Sequence, residues 1–264
     1  MTTRKRSSSS STRGSAAVPK ATSASRTGSR RTAPLTDLDR RLRAAGRPER
    51  ARFDSAYLKS DLVFYGVTLP EIHRIAREYT REHPEIDRRS LRALAVGAFR
   101  TRKHDLRTVA IAIVDRRRAL LEDRDLPWLI DVADACNTWA HIDWLAVGVI
   151  GDVIARYPAS RRWLARWATQ KNFWVRRTAI LAQHDQLKRG EGDWPLFVRV
   201  TDPMLGETEF FIRKAIGWVL REVSKKYPKR VFDYILPRRD RMSGLTLREG
   251  AKYLSDGQRK KLGL

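Results

Sequence analysis

The sequence predicts an all-α protein in which antiparallel helix pairs repeat to form a curved α-solenoid. From residue 36 onward, apolar residues recur at spacings of three and four, the pattern of one buried helix face. No segment shows the apolar-polar alternation of a half-buried strand. The helix pairs recur at intervals of roughly 35 to 45 residues, which is the spacing of HEAT-type or armadillo-type repeats.

Residues 1–35 are predicted to be a disordered basic arm, and residues 36–264 a single helical-repeat domain. The arm is rich in Ser, Thr, Arg and Ala, and it has no aromatic residue to bury. Two interpretations remain open, a solubilising tail or a tether to nucleic-acid backbone, because charge alone does not distinguish them.

Proline and apolar periodicity place the helices of the repeat domain. The segment LPEIHRIAREYTREHP is expected to begin a helix at Pro70 and to end it before Pro84. The segment TWAHIDWLAVGVIGDVIARYP predicts one buried helix without a bend, since its apolar residues run almost all round the helix. The segment NFWVRRTAILAQHDQL continues the same helical pattern.

The charge of the chain points to a polyanionic partner. The formal net charge is +24, and residues 1–36 contribute eight basic and no acidic side chains, which leaves +16 for the remainder. An excess of this size favours nucleic acid first and an anionic membrane surface second.

The remaining composition argues for a cytoplasmic protein. Cys136 is the only cysteine, so the chain forms no internal disulfide, and the five histidines show no metal-ligand spacing. No apolar run is long enough to span a membrane, and the N-terminus lacks a secretory signal core. We therefore expect a cytoplasmic, nucleoid-associated monomer that uses no cofactor and no metal.

An unusual carboxylate lies in the apolar stretch that follows Thr138. Asp143 comes four residues after Trp139, on the same helix face. A buried carboxylate costs free energy unless it is paired. Asp143 therefore either locks two helices by accepting hydrogen bonds from an arginine such as Arg177, or it is kept for chemistry.

Two further helices carry aromatic and basic residues together. In one, Trp174 precedes Arg176 and Arg177. In the other, three residues spaced i, i+3 and i+7 share a face, and further aromatic and basic residues adjoin them. Such a face suits nucleic acid, because rings can contact sugars and bases while cations contact phosphates. The candidates on this last helix are Phe210, Phe211, Lys214, Trp218 and Arg221.

Each of these features also has a structural interpretation. A tryptophan is more often core than site, and an arginine run is usually a solvated face. Asp152 fits a structural role better than Asp143 does, because no aromatic residue lies four positions before it. Cys136 and His141 are interpreted as structural.

The motifs resemble the DNA alkylation-repair glycosylases of the AlkD type, which are built from HEAT-like repeats. The resemblance covers most of residues 50–253. It is carried by YLKSDLVFYGVTLPEIHRIA, by TWAHIDWLAVGVIGDVIARYP, by NFWVRRTAILAQ and, most specifically, by EFFIRKAIGWVLRE. The basic arm and Ala140, where an acid can stand beside the tryptophan, depart from the family pattern.

The resemblance implies a set of functional residues. Trp139, Asp143, Arg177 and Trp218 match the lesion-contacting positions of the family. Phe210, Phe211 and Arg221 match further DNA-contact positions, to which the charge pattern adds Lys214 and Arg176.

The resemblance also implies a chemistry. The expected substrate is double-stranded DNA carrying a cationic N3- or N7-alkylated purine, and the expected reaction is hydrolysis of the N-glycosidic bond without base flipping. Asp143 would stabilise the developing sugar charge and position a water, and Arg177 would hold a phosphate and keep Asp143 ionised. We expect a monofunctional enzyme without lyase activity. We expect it neither to bind a membrane nor to need an obligate protein partner.

Two other classes of protein compete with the enzyme hypothesis. A non-catalytic helical-repeat protein could recognise damaged or branched DNA, although such relatives tend to lack the Trp-x-x-x-Asp pair that this sequence contains. A protein-binding scaffold would fit the solenoid but not the charge of the folded part.

Overall fold

The computed structural model describes residues 34–264, and helices follow one another through that whole range. The basic arm lies outside the described residues, apart from its last two. The α-helices are α1 (Pro34–Ala45), α2 (Pro48–Leu58), α3 (Leu69–Glu82), α4 (Arg88–Phe99), α5 (His104–Arg116), α6 (Leu126–Asp134), α7 (Trp139–Trp144), α8 (Gly151–Arg156), α9 (Arg162–Trp167), α10 (Phe173–Leu181), α11 (His184–Arg189), α12 (Trp194–Thr201), α13 (Phe210–Ser224), α14 (Pro228–Ile235), α15 (Gly244–Gly250) and α16 (Asp256–Lys261).

Local sequence signals explain where many of these helices begin. Pro70 lies in the first turn of α3, where a missing amide hydrogen costs nothing, as the sequence predicted. The Asp87 side chain accepts a hydrogen bond from the Ser90 amide and caps α4. The Glu209 side chain caps α13 by accepting from the Phe211 amide. These caps satisfy amides that would otherwise have no partner.

The helices stack in two rows, which confirms the predicted all-α solenoid of HEAT-like helix pairs. One row, called here the front row, contains α3, α5, α7 with α8, α10, α13 and α15, and each packs against the next. The second row contains α1, α4, α6, α9 and α12. Within residues 34–264 the only strand-like pairing is an isolated bridge between Val63 and Lys103.

Apolar side chains between the rows form one continuous core. Helix α5 is buried on almost every side because it is covered by α3, α4 and the helix that starts at Trp139. Among the described residues, no helix has both the length and the apolar character required to cross a membrane.

The helix after Thr138 is continuous as expected, but it contains one turn that the sequence did not predict. Residues Leu145–Ile150 are π-helical and join α7 to α8 without a break in the helix. Gly148 lies inside the widened turn and Gly151 directly follows it, and both lack the Cβ atom that neighbouring groups would crowd. A π-turn inside a helix is uncommon and often lies at a functional site, and here it immediately follows the turn that carries Asp143.

Two other elements differ from the helices that the spacing of apolar residues predicts. The helical segment that starts at Phe173 is divided into α10 and α11 at Ala182 and Gln183. Helix α2 has no fully buried residue and exposes Phe53 and Tyr57. Helix α2 is therefore a thin covering element beside the front row.

Candidate functional site

Asp143 and Arg177 form a bidentate ion pair between α7 and α10. The Nε and Nη2 atoms of Arg177 donate to the two carboxylate oxygens of Asp143 at 2.7 and 2.8 Å. The Arg177 side chain is only 4% exposed, whereas that of Asp143 is 20% exposed. The arginine thus lies behind the carboxylate, which keeps one side open.

The environment of Arg177 differs from the predicted phosphate contact. Its Nη1 atom donates to the carbonyl oxygen of Phe211, so the guanidinium is already bonded on three nitrogens. A phosphate could reach this buried group only if these bonds broke. The geometry suits a residue that orients Asp143 and leaves phosphate binding to other side chains.

Tryptophan rings stand beside this carboxylate. Trp139 and Trp218 are half-buried and line the same cavity as Asp143. Tyr57 meets Trp139 edge to face, with ring centroids 5.9 Å apart. His184 supports Trp218 at 4.7 Å. Because each ring is held by another, the walls of the cavity are preformed.

A second group of rings connects α10 to α13. Phe211 packs against Trp174, with ring centroids 4.8 Å apart, and Trp174 is buried. Phe210 meets Phe211 edge to face but is itself 53% exposed. Trp174 is therefore a core residue, as the structural interpretation of tryptophan suggests, while Phe210 projects from the rim of the cavity.

Two cations of α13 share a carboxylate from the neighbouring helix. The Nη1 atom of Arg221 donates to Glu249 Oε2 at 2.5 Å, and Lys214 Nζ lies 3.4 Å from Glu249 Oε1. Close packing of α13 and α15 brings Glu249 to this place. At Gly217 a Cβ atom would lie 2.7 Å from that of Glu249, so a side chain there would force the helices apart.

Arg176 does not join the cavity. Its guanidinium donates to both carboxylate oxygens of Glu207, at 3.1 and 2.9 Å, and to two backbone carbonyl oxygens. The predicted DNA contact of Arg176 would have to compete with all four bonds.

The cavity has a volume of about 450 Å³ and gathers residues from five helices. Eight of the nine predicted site residues line it, all except Arg176. Sequence reasoning missed two of its residues, Tyr57 and Glu249. The lining residues are Tyr57, Trp139, Asp143, Arg177, Phe210, Phe211, Lys214, Trp218, Arg221 and Glu249.

A larger cavity of about 610 Å³ adjoins the first and shares Tyr57 and Trp139 with it. Its wall includes His104 and His141, whose rings stack at 4.5 Å. Burial lowers the pKa of His104 to about 4 and the pKa of His141 well below its ordinary value.

The three residues interpreted as structural are buried or paired within the fold. Cys136 is buried, and burial raises the pKa of its thiol. His141 is buried and pairs with Thr108 at 3.0 Å. Asp152 accepts a hydrogen bond from Arg156 at 2.9 Å, away from the cavity around Asp143. In the part of the chain that the structure describes, no cluster of three His, Cys, Asp or Glu side chains is arranged to hold a metal ion.

Comparison with known families decides the identity of the fold. Residues 38–254 match the family described as DNA alkylation repair enzyme. The chain belongs to this family. The match spans all the cavity-lining residues, from Tyr57 to Glu249.

Solved structures of similar fold agree with this assignment. One is entitled predicted DNA alkylation repair enzyme from Enterococcus faecalis; it is 25% identical, with a TM-score of 0.69 over 80% of this chain and 97% of that one. AlkD2 from Streptococcus mutans is 17% identical, with a TM-score of 0.55 over 78% of this chain and 99% of that one, and shows the fold alone. No curated protein matched the sequence.

Proposed function

We propose that this member of the DNA alkylation repair enzyme family is a monofunctional DNA glycosylase. Its substrate is a cationic N3- or N7-alkylated purine in double-stranded DNA, and it hydrolyses the N-glycosidic bond. The observation that carries the proposal is the Asp143 carboxylate, fixed by Arg177 and partly open to a cavity walled by Trp139 and Trp218.

The charge of the substrate explains why one carboxylate is sufficient. Most glycoside hydrolases need a second carboxyl group to protonate the leaving group. A purine alkylated at N3 or N7 already carries a positive charge and leaves as a neutral base. The protein then has only to stabilise the positive charge that develops on the deoxyribose and to place a water on it.

Asp143 is suited to both tasks because it is oriented before the reaction begins. A preorganised charge lowers the barrier without reorganising during the reaction. Each carboxylate oxygen uses one lone pair on Arg177 and keeps another. The faces of Trp139 and Trp218 add cation–π attraction as the sugar becomes positive.

The second carboxylate in the cavity does not supply a general acid. Glu249 accepts a hydrogen bond from Arg221 and lies 3.4 Å from Lys214, so both of its oxygens already face cations. The Lys214 amino group is directed at this same carboxylate, which leaves it poorly placed to attack a sugar as the nucleophile of a lyase step. These two pairings support a simple hydrolase.

The proposed contacts with the duplex leave the damaged base in place. The lesion remains stacked in the duplex, as the resemblance to AlkD-type enzymes implies, and the protein contacts its sugar and backbone. Lys214 and Arg221 contact phosphates, with Phe210 at the rim. The protein acts as a cytoplasmic monomer without a cofactor.

Incubation with a duplex that contains one N7-methylguanine tests this function. We expect base release, detected as strand cleavage at the abasic site only after alkaline treatment. Cleavage before alkali would indicate a lyase step. Tight binding without base release would favour the non-catalytic DNA-binding alternative.

A further inference from the structure

Glu249 occupies the place between two cations where a phosphate would be expected. Its two oxygens face different partners, Arg221 at 2.5 Å and Lys214 at 3.4 Å. An anion with two oxygens held by two cations is the arrangement that a DNA phosphate would adopt there. Arg221 has one further carboxylate neighbour, Glu222, at 3.5 Å.

Packing fixes Glu249 in this position. Glycines lie on both helices where α13 crosses α15, Gly217 on one and Gly250 on the other. The space that Gly217 leaves open is filled by Glu249, and the space at Gly250 is filled by Leu220. The Glu249 side chain is only 22% exposed, so its carboxylate is held beside the cations and does not move freely in solvent.

The surrounding charge gives this carboxylate a role. Residues 213–264 contain fifteen basic and five acidic side chains. A surface so rich in cations binds any duplex, because phosphate contacts carry no sequence or damage information. A repair enzyme must nevertheless leave undamaged DNA, which vastly outnumbers lesions.

We propose that Glu249 is a specificity-determining residue that competes with DNA phosphates for Lys214 and Arg221 and so weakens binding to undamaged duplex. The inference rests on the proposed function, since it assigns these two cations to the DNA backbone. On a lesion, contacts of the cavity with the damaged nucleotide add to the phosphate contacts and outweigh the competition. On undamaged DNA the carboxylate regains its two partners and the duplex dissociates.

The test compares the full-length protein with Glu249→Gln, which keeps the shape and removes the charge. Binding to an undamaged duplex is measured across salt concentrations. We expect affinity to rise roughly three- to tenfold near 0.1 M salt, and the slope of log K against log salt to steepen by about 0.9, the value of one extra phosphate contact. Glu249→Ala should act in the same direction, which excludes a new hydrogen bond from the glutamine.

Two controls separate this role from a general change of charge. Asp233→Asn removes a negative charge from the exposed pair with Lys229 on α14 and should change affinity less than twofold. In a Lys214→Gln, Arg221→Gln background, Glu249→Gln should have no further effect, because the coupled partners are gone.

The result for excision completes the test. Base release from a lesion duplex is measured with and without an excess of undamaged competitor duplex. The competitor should slow base release by the Glu249→Gln variant more than base release by the native protein. Unchanged or weaker binding of the variant to undamaged duplex would overturn the inference, as would an equal gain for Asp233→Asn. Failure of the native protein to release any base would instead overturn the proposed function, which the same assay reports separately.

Discussion

At position 143 the carboxylate is bonded on one side and open on the other. The sequence left two interpretations of Asp143, a lock between helices and a chemical group. The structure contains the lock, in the two hydrogen bonds from Arg177. The lock also fixes the carboxylate in the cavity, so the structural bond is compatible with a catalytic role.

We expect Asp143→Asn to slow base release by about one to three powers of ten, the range for loss of one preorganised electrostatic group. Phosphate contacts are unaffected, so DNA affinity should change little. Single-turnover excision of N7-methylguanine measures the first effect and equilibrium binding the second.

The control is Asp152→Asn, the same substitution later in the same continuous helix and outside the cavity around Asp143. Removing one partner of a buried ion pair costs up to roughly 3–5 kcal/mol, so both variants are assayed well below their melting temperatures. Native-rate excision by Asp143→Asn would show that the catalytic assignment is wrong.

Buried histidines predict how stability depends on pH. The pKa of His104 is lowered to about 4 from an ordinary value of 6.5 because burial disfavours its charged form. Between these two pH values the unfolded chain binds more protons than the folded chain. The contribution of His104 to the free energy of unfolding is therefore fully present above pH 6.5 and is lost as the pH falls towards 4. The loss is on the order of 3 kcal/mol.

Replacing His104 with Phe tests this cause. The ring stacks on Phe64, 4.3 Å away, so a phenyl group can keep the packing. The melting temperatures at pH 5 and at pH 7 should lie closer together for the variant than for the native protein. Equal differences would assign the acid sensitivity to other groups.

At the scale of single elements, periodicity predicted α13 well and the helix after Thr138 less well. Phe211, Lys214 and Trp218 were expected on one face of a helix, and all three line the cavity. The π-turn at Leu145–Ile150 was not predicted, because the apolar spacing of a buried helix does not distinguish a π-turn from an α-helical turn.

Gly151→Ala is predicted to destabilise the protein. A Cβ atom would lie 2.9 Å from the carbonyl oxygen of Ala182 and 3.2 Å from that of Ala146, and backbone cannot move aside cheaply. Overpacking of this kind costs about 1–3 kcal/mol, which exceeds the gain of up to about 1 kcal/mol from replacing a helical glycine.

Urea unfolding measures the change, with Gly257→Ala as the matched control. Gly257 lies in α16 and has nothing within 4 Å of its ideal Cβ position. The control should be neutral or slightly stabilising. A neutral Gly151→Ala would mean that α8 has room to move and that the close approach is not required.

At the scale of the whole molecule, the sequence predicted the family, the all-α solenoid and most of the cavity. It did not reveal Tyr57 or Glu249, which lie on α2 and α15, far along the chain from the Asp143 helix. Only the stacking of repeats brings them together. The phosphate contact of Arg177 stays a prediction, and a linear pattern could not show that this guanidinium also donates to the carbonyl oxygen of Phe211.

The charge of the chain predicts the effect of removing residues 1–33. The deletion takes away eight basic and no acidic side chains. Affinity for undamaged duplex should fall and its salt dependence should flatten, since fewer counterions are released, while single-turnover excision at saturating protein should persist. An unchanged salt slope would argue that the segment does not contact DNA.

In the proposed mechanism a single fixed carboxylate, without a general acid, removes bases that are already cationic. Its most direct test compares matched duplexes at saturating native protein, one with N7-methylguanine and one with neutral hypoxanthine at the same position. We expect N7-methylguanine to be released and hypoxanthine to persist, because nothing in the cavity protonates a neutral leaving base. Efficient release of hypoxanthine would require an acid that protonates the base, and it would show that Asp143 does not act as the single catalytic group.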